Sequence, residues 1–172
     1  MNNKLLKAAL LSSVVLASFV ATSTKAEEFE GLYGGVEAGF KDTTSSGYDF
    51  VIGGVLGYRQ AISQDSPIVI GIEADYGFYT EEDDSRYGIS PIIGYKLNDS
   101  SLLYAKVGYS RYEDLADTHS GFSVGGGYEQ KLSQRLSLRL DYKFMDYDDD
   151  LPVQGGNLYQ GHEVTTALIF GF

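Results

Sequence analysis

Glu163-Val164-Thr165-Thr166-Ala167-Leu168-Ile169-Phe170-Gly171-Phe172 closes the sequence. Val164, Thr166, Leu168, Phe170 and Phe172 fall on every second position. A strand sends alternate side chains to opposite faces, so these five share one face. That face is apolar, and nothing follows it in the sequence to cover it. A sheet that closes with this strand and turns the face toward lipid accounts for the pattern.

The same period of two runs back through the chain. In Arg135-Leu136-Ser137-Leu138-Arg139-Leu140-Asp141-Tyr142-Lys143-Phe144 the apolar residues Leu136, Leu138, Leu140, Tyr142 and Phe144 share one face, and Ser137, Arg139, Asp141 and Lys143 share the other. A helix would scatter those charges around its circumference. Ile68 to Phe78 repeats the pattern, with Glu73 and Asp75 on the polar face. Read this way, the chain holds eight strands, near 30–41, 48–60, 67–79, 85–97, 102–112, 120–131, 135–146 and 162–172. Their lengths suit tilted strands crossing a hydrocarbon core, and an even count leaves both termini on one side. The expected fold is all-β: an eight-stranded antiparallel up-and-down transmembrane β-barrel.

Two domains of use are read from the sequence. Residues 1–26 carry Lys4 and Lys7, then an apolar stretch from Ala8 to Ala21, then Thr24-Lys25-Ala26, which is the pattern of a cleaved secretory signal. Residues 27–172 are the expected barrel domain. Without Lys4, Lys7 and Lys25, ten of the 13 basic residues remain against 24 acidic ones, a net charge of −14. Such a surface repels nucleic acid and other polyanions. The absence of cysteine excludes disulfides and thiolate metal sites. No apolar run outside the signal is long enough for a spanning helix, so any span is a strand.

Connections after the even strands (Ala61–Ser66, Asn98–Ser101, Leu132–Gln134) read as short turns rich in Asn, Asp and Ser. Those after the odd strands (Asp42–Gly47, Thr80–Asp84, Glu113–His119, Tyr147–Gly161) read as longer loops. Tyr58, Tyr95, Tyr128 and Phe172 would ring the turn side, and Phe40, Phe78, Tyr87, Tyr109, Phe122 and Phe144 the loop side. Two aromatic belts mark the two interfaces of a membrane. The alternative is a soluble β-sandwich whose aromatics are scattered through a core.

The eight alternating strands, the opening Gly31-Leu32-Tyr33-Gly34-Gly35-Val36-Glu37-Ala38-Gly39-Phe40, the recurring Gly-Tyr pairs and the Leu168-Ile169-Phe170-Gly171-Phe172 ending resemble the small OmpA/OmpX-type outer-membrane barrels. The resemblance implies an outer-membrane location and contact with lipid and lipopolysaccharide. It also implies delivery by periplasmic chaperones and insertion by the barrel assembly machinery, with Phe170 and Phe172 as the assembly signal. Adhesion or another surface interaction is what it suggests for function.

By register, Glu37, Glu73, Asp75, Glu129, Asp141 and Glu163 point inward, as do Lys41, Arg59, Arg86, Lys96, Lys106, Lys131, Arg139 and Lys143. Eight strands leave room only for side chains, and buried charges must pair. A salt-bridged plug is expected, with Glu37, Glu73, Asp75, Lys106, Glu129, Arg139, Asp141 and Lys143 as its network; a narrow ion-conducting pore is the alternative. Interior glycines, among them Gly57 and Gly127, are read as room for long Arg and Lys side chains. Gly125-Gly126-Gly127 is not followed by a helix, which argues against a phosphate-binding loop.

The outer loops hold Asp42, Glu81, Glu82, Asp83, Asp84, Glu113, Asp114, Asp117, Asp146, Asp148, Asp149 and Asp150, half of the chain's 24 acids. Solvated, repulsive loop tips explain them; divalent-ion binding around Asp146 to Asp150 is the sharper alternative, without the Gly and Glu spacing of an EF-hand loop. Tyr147, Asp148, Asp149, Asp150, Leu151 and Tyr159 of the fourth loop are the candidate contacts for a surface protein ligand. Arg111 stands on the outward face near the loop rim, either reaching a lipid phosphate or marking an error in register. His119-Ser120 and His162-Glu163 invite a lipid A-modifying reading, but strand 7 separates them. No catalytic residue, cofactor site or metal site is expected, and the chain is expected to be a monomer with a structural and surface-interaction role rather than an enzyme.

Overall fold

The computed structural model describes residues 29–43, 47–80, 84–113, 118–147 and 160–172. The expected signal segment lies outside them, as do Asp148, Asp149, Asp150, Leu151 and Tyr159. The strands are β1 (Gly31–Thr43), β2 (Gly47–Ala61), β3 (Ile68–Tyr79), β4 (Ser85–Asn98), β5 (Ser101–Glu113), β6 (Thr118–Lys131), β7 (Leu136–Tyr147) and β8 (Gln160–Gly171). Each pairs antiparallel with its sequence neighbours, and β1 pairs with β8 to close the barrel. Closure leaves no unpaired sheet edge.

The β1–β8 register runs from Tyr33 opposite Gly171 to Thr43 opposite Gly161, and the Phe172 amide then donates to the Leu32 carbonyl at 3.0 Å. Turn chemistry closes the hairpins at the end bearing both termini. The Asn98 side chain accepts from the Ser100 amide at 2.9 Å, an Asx turn. Ser66 Oγ accepts from the Ile68 amide at 3.0 Å after Asp65, whose φ is 64°. At the far end β1, β2 and β5 to β8 run one or two residues past the sequence pattern, which shortens three of the four connections, while the connection between β3 and β4 keeps the expected bounds of 80–84. Only the connection spanning 148–159 is long.

The surface inverts that of a soluble protein. Val36, Ile52, Ile72, Ile89, Ile93, Leu103, Val107, Val124, Leu138, Leu140, Leu168 and Phe170 all face outward and exposed. Tyr58, Tyr95, Tyr128 and Phe172 ring the terminal end outside this band; Phe40, Tyr87, Tyr109 and Phe122 ring the far end, joined by Tyr48, Tyr76 and Tyr142. Phe78 and Phe144 are half-exposed within that second ring. A soluble sandwich would bury these side chains between its sheets; here the charged residues occupy the inside instead.

Apolar clusters pack inside the lumen toward both ends. At the terminal end Phe29, at φ 62°, turns back into the barrel and packs with Val69, Ile92, Leu102 and Tyr104. A left-handed backbone at a bulky residue is strained, so burial of this ring holds it there. Toward the far end Val51, Tyr79, Tyr112, Met145 and Tyr147 form the second cluster.

Candidate functional site in the barrel lumen

In an eight-stranded barrel the walls face each other four strands apart, and charged side chains here bridge those diameters. Arg59 on β2 donates to Glu129 on β6 through both terminal nitrogens, at 2.9 and 3.2 Å. Arg139 on β7 donates to Glu73 on β3 at 2.5 Å, and Lys143 on β7 reaches Asp75 on β3 at 3.1 Å. Arg86 on β4 donates to Glu163 on β8 at 2.8 Å. The remaining diameter, β1 to β5, is filled by the Arg139 guanidinium, 5.2 Å from the Tyr33 ring centre and 5.1 Å from that of Tyr104. Cation–π contact takes the place of an ion pair there.

The charges sort into two groups. Toward the termini, Arg59, Arg139 and Lys106 balance Glu73, Glu129 and Asp141; Lys106 Nζ lies 3.1 Å from Glu73 and 2.8 Å from Asp141. Tyr33 donates to Glu73 at 2.8 Å, and Tyr104 donates to Asp141. Farther along, Arg86 and Lys143 face Glu37, Asp75 and Glu163, and Arg86 bonds Asp75 as well as Glu163. Lys41 stands opposite Glu163 in register, with its ammonium 4.3 and 4.2 Å above the rings of Tyr79 and Tyr112. The first group sets three bases against three acids, and the second sets Lys41, Arg86 and Lys143 against Glu37, Asp75 and Glu163, with Asp49 and Asp84 buried nearer the far end. Pairing offsets the desolvation that an isolated charge would suffer, and it fixes geometry more than it adds stability.

The register places Glu37, Glu73, Asp75, Lys106, Glu129, Arg139, Asp141 and Lys143 all in the lumen, each at most 7% exposed. Lys96 and Lys131, expected inside, are half-exposed at the terminal mouth, where Lys96 pairs with Glu30 at 3.2 Å. Asp84 is not a loop tip: it is buried and accepts from the Tyr112 hydroxyl. Tyr147, expected as a surface-loop contact, continues the inward face of Lys143 and Met145. It is 4% exposed, with its ring 5.7 Å from that of Tyr112. The period-two pattern simply runs one turn of the pleat farther than the loop composition suggested.

The inward tyrosines Tyr33, Tyr79, Tyr104 and Tyr112 were the part of the lumen that residue type concealed. Tyrosine also belongs to interfacial belts, so only strand parity separates the two uses: Tyr33 shares the face of Glu37, and Tyr104 that of Lys106. Gly57 and Gly127 make room for these rings, not for Arg or Lys as expected; a Cβ at either would strike Tyr33 or Tyr104. Gly125, Gly126 and Gly127 lie in extended β6. A recess of about 30 Å³ at the terminal mouth, beside Phe29, Arg59, Glu129, Lys131 and Arg135, has room for about one water.

Outside the lumen, His162 faces outward and bonds Tyr142 at 2.7 Å, whereas Glu163 faces inward. His119 sits on the inward register of β6. The two histidines therefore lie on opposite surfaces of the wall and share no site. Arg111 is outward and exposed, so its position is not a slip of register.

Residues 11–172 match the family model described as the outer membrane protein beta-barrel domain. The chain is 27% identical, over 84% of its length and 77% of the relative's, to a 22 kDa outer membrane protein of Rhizobium leguminosarum bv. viciae. Among solved structures it is similar to the N-terminal barrel domain of Pseudomonas aeruginosa OprF (TM-score 0.58, 12% identity, 83% of this chain and 98% of that one). It is also similar to Neisserial surface protein A (0.56, 17%, with the same coverage) and to Ail, the attachment invasion locus protein of Yersinia pestis (0.51, 15%, with the same coverage). With its strands closed, its apolar face outward and the family match spanning nearly the whole sequence, the chain belongs to the outer-membrane β-barrel family and resides in the outer membrane.

Proposed function

We propose that this barrel is a non-conducting structural element of the outer membrane whose specific work is done at its surfaces, supporting membrane integrity and contacting a partner through its extracellular loops. The observation that carries the reading is the bridging of the lumen along its diameters by Arg59–Glu129, Arg139–Glu73 and Arg86–Glu163, under apolar clusters toward both ends. A path for ions would have to break several of these pairs together. The charge itself leaves a narrow pore as the second reading. Planar-bilayer recording of the refolded protein tests the choice: baseline current with rare, small events is expected, and steady single-channel steps would establish the pore.

The likeness to an attachment protein and a surface protein supports an adhesive role for residues 148–159 and the shorter acidic loops. The partner class would differ from that of the Ail structure solved with a heparin analogue, because the eleven acids of the expected loops other than Asp84 disfavour a sulfated ligand. Deletion of 148–159 should abolish binding of intact cells to a protein-coated surface while leaving the folded barrel in the membrane. Residues 1–26 would direct export, and Phe170 and Phe172 would be read by the assembly machinery. Catalysis on lipid A is not part of this reading; unchanged lipid A after gene deletion is the expected result.

A further inference from the structure

Arg111 departs from the pattern of the outer wall. Among the described strand residues it is the one lysine or arginine on the outward register; the others there are chiefly apolar, aromatic, small or hydroxylated, with carboxylates only at the extracellular rim. It stands directly opposite Tyr87 of β4 on one side and Ser120 of β6 on the other, with Tyr109 two residues before it on the same face. Among the described residues the phenols of Tyr87 and Tyr109 are the side-chain partners of its guanidinium. Tyr109 is in turn braced edge-to-face by Phe122, at 6.0 Å between ring centres.

Among the described residues no carboxylate pairs with Arg111, and its position suits an anion. A guanidinium carries five N–H donors, and two phenol oxygens do not exhaust them. Positive charge and paired N–H donors are what a phosphate selects, arginine offering two parallel bonds. The height is also specific. Arg111 lies at the extracellular aromatic girdle, level with the headgroups of the outer leaflet. Below it Val107 and Ile89 continue as an apolar wall on which acyl chains can lie. Glu113, the next outward residue on β5, closes the solvent side with a negative charge, so an anion approaches from the lipid side.

We propose that Arg111, with Tyr87, Tyr109 and Ser120, forms a docking site on the outer wall for a phosphate group of an outer-leaflet glycolipid. The site depends on the orientation of the barrel in the membrane and is independent of whether the lumen conducts or the loops adhere.

Native mass spectrometry of the refolded barrel in detergent, with diphosphoryl lipid A added, tests the assignment. The wild type should keep one lipid A molecule after the micelle is stripped away. R111Q should lower that retained fraction by about tenfold, and R111K by less, because a point charge replaces the fork. Tyr87→Phe with Tyr109→Phe should weaken retention without removing it. Fully dephosphorylated lipid A should behave on the wild type as diphosphoryl lipid A does on R111Q, and inorganic phosphate should not compete. Equal retention by wild type and R111Q, or of phosphorylated and dephosphorylated lipid, would overturn the proposal. Competition by inorganic phosphate would overturn it too, since the site would then take a soluble anion. Heat-modifiable gel mobility of each variant confirms that it is folded.

Discussion

Arg86 of β4 and Glu163 of β8 stand on opposite walls of the barrel, 77 residues apart in sequence, and their side chains meet at 2.8 Å. The same guanidinium also bonds Asp75 and lies 3.6 Å from Glu37. One arginine therefore holds three carboxylates from three strands, all four groups being buried. Arg86→Met should cost about 3–5 kcal/mol, because it strands buried carboxylates. Arg86→Met combined with Glu163→Gln should recover part of that loss, since one uncompensated charge disappears with it. Urea titrations in lipid vesicles, scored by the gel mobility of folded and unfolded bands, measure both.

Arg139 has a different role, because it closes two diameters at once. It pairs with Glu73 and Glu129 and fills the gap between Tyr33 and Tyr104. Arg139→Ala should therefore open a water-lined passage where Arg86→Met does not, the apolar clusters toward the two ends remaining as the constrictions. Small cation-selective currents in planar bilayers are the expected signature, since Glu73 and Glu129 would be left facing the opening. A silent Arg139→Ala barrel would show that the apolar ends alone seal the lumen.

Strand identity and facing were legible in the sequence because a period of two leaves no freedom: once Leu138 faces lipid, Arg139 and Asp141 must face inward. The charged half of the lumen followed from that parity. Which acid meets which base did not follow, because partners four strands apart, such as Arg59 and Glu129, depend on barrel radius and stagger, which no single strand encodes. The inward tyrosines were hidden by their resemblance to belt residues. Phe29 was hidden because its burial rests on a left-handed backbone turn at the mouth, which no alternation can announce.

Tyr33 and Gly57 face each other across β1 and β2, and the absent side chain is what admits the ring. Tyr33 cannot swing away without losing its 2.8 Å bond to Glu73 and its contact with Arg139. Gly57→Val should therefore destabilise the barrel by about 1–3 kcal/mol, the range for overpacking. Tyr33→Leu in the same chain should relieve the clash but not restore the full stability, because the hydrogen bond to Glu73 stays lost. Urea midpoints of the two variants separate the steric part from the polar one.

Val107 and Arg111 lie on the same outward face of β5, two outward positions apart, and depth alone should decide what a charge costs at each. Val107 is at the middle of the strand and so near the middle of the bilayer. Val107→Arg should cost about 2–4 kcal/mol, the range for arginine at the midplane. Near the interface the same side chain costs only about 0–1 kcal/mol, so Arg111→Leu should leave stability nearly unchanged in vesicles of zwitterionic lipid. In vesicles containing diphosphoryl lipid A, Arg111→Leu should become measurably less stable than the wild type, because a phosphate bound to the folded barrel stabilises it by mass action. A large loss for Arg111→Leu in both lipids would mean that the tyrosine contacts of Arg111 serve folding; no difference in either would mean that Arg111 meets no anion.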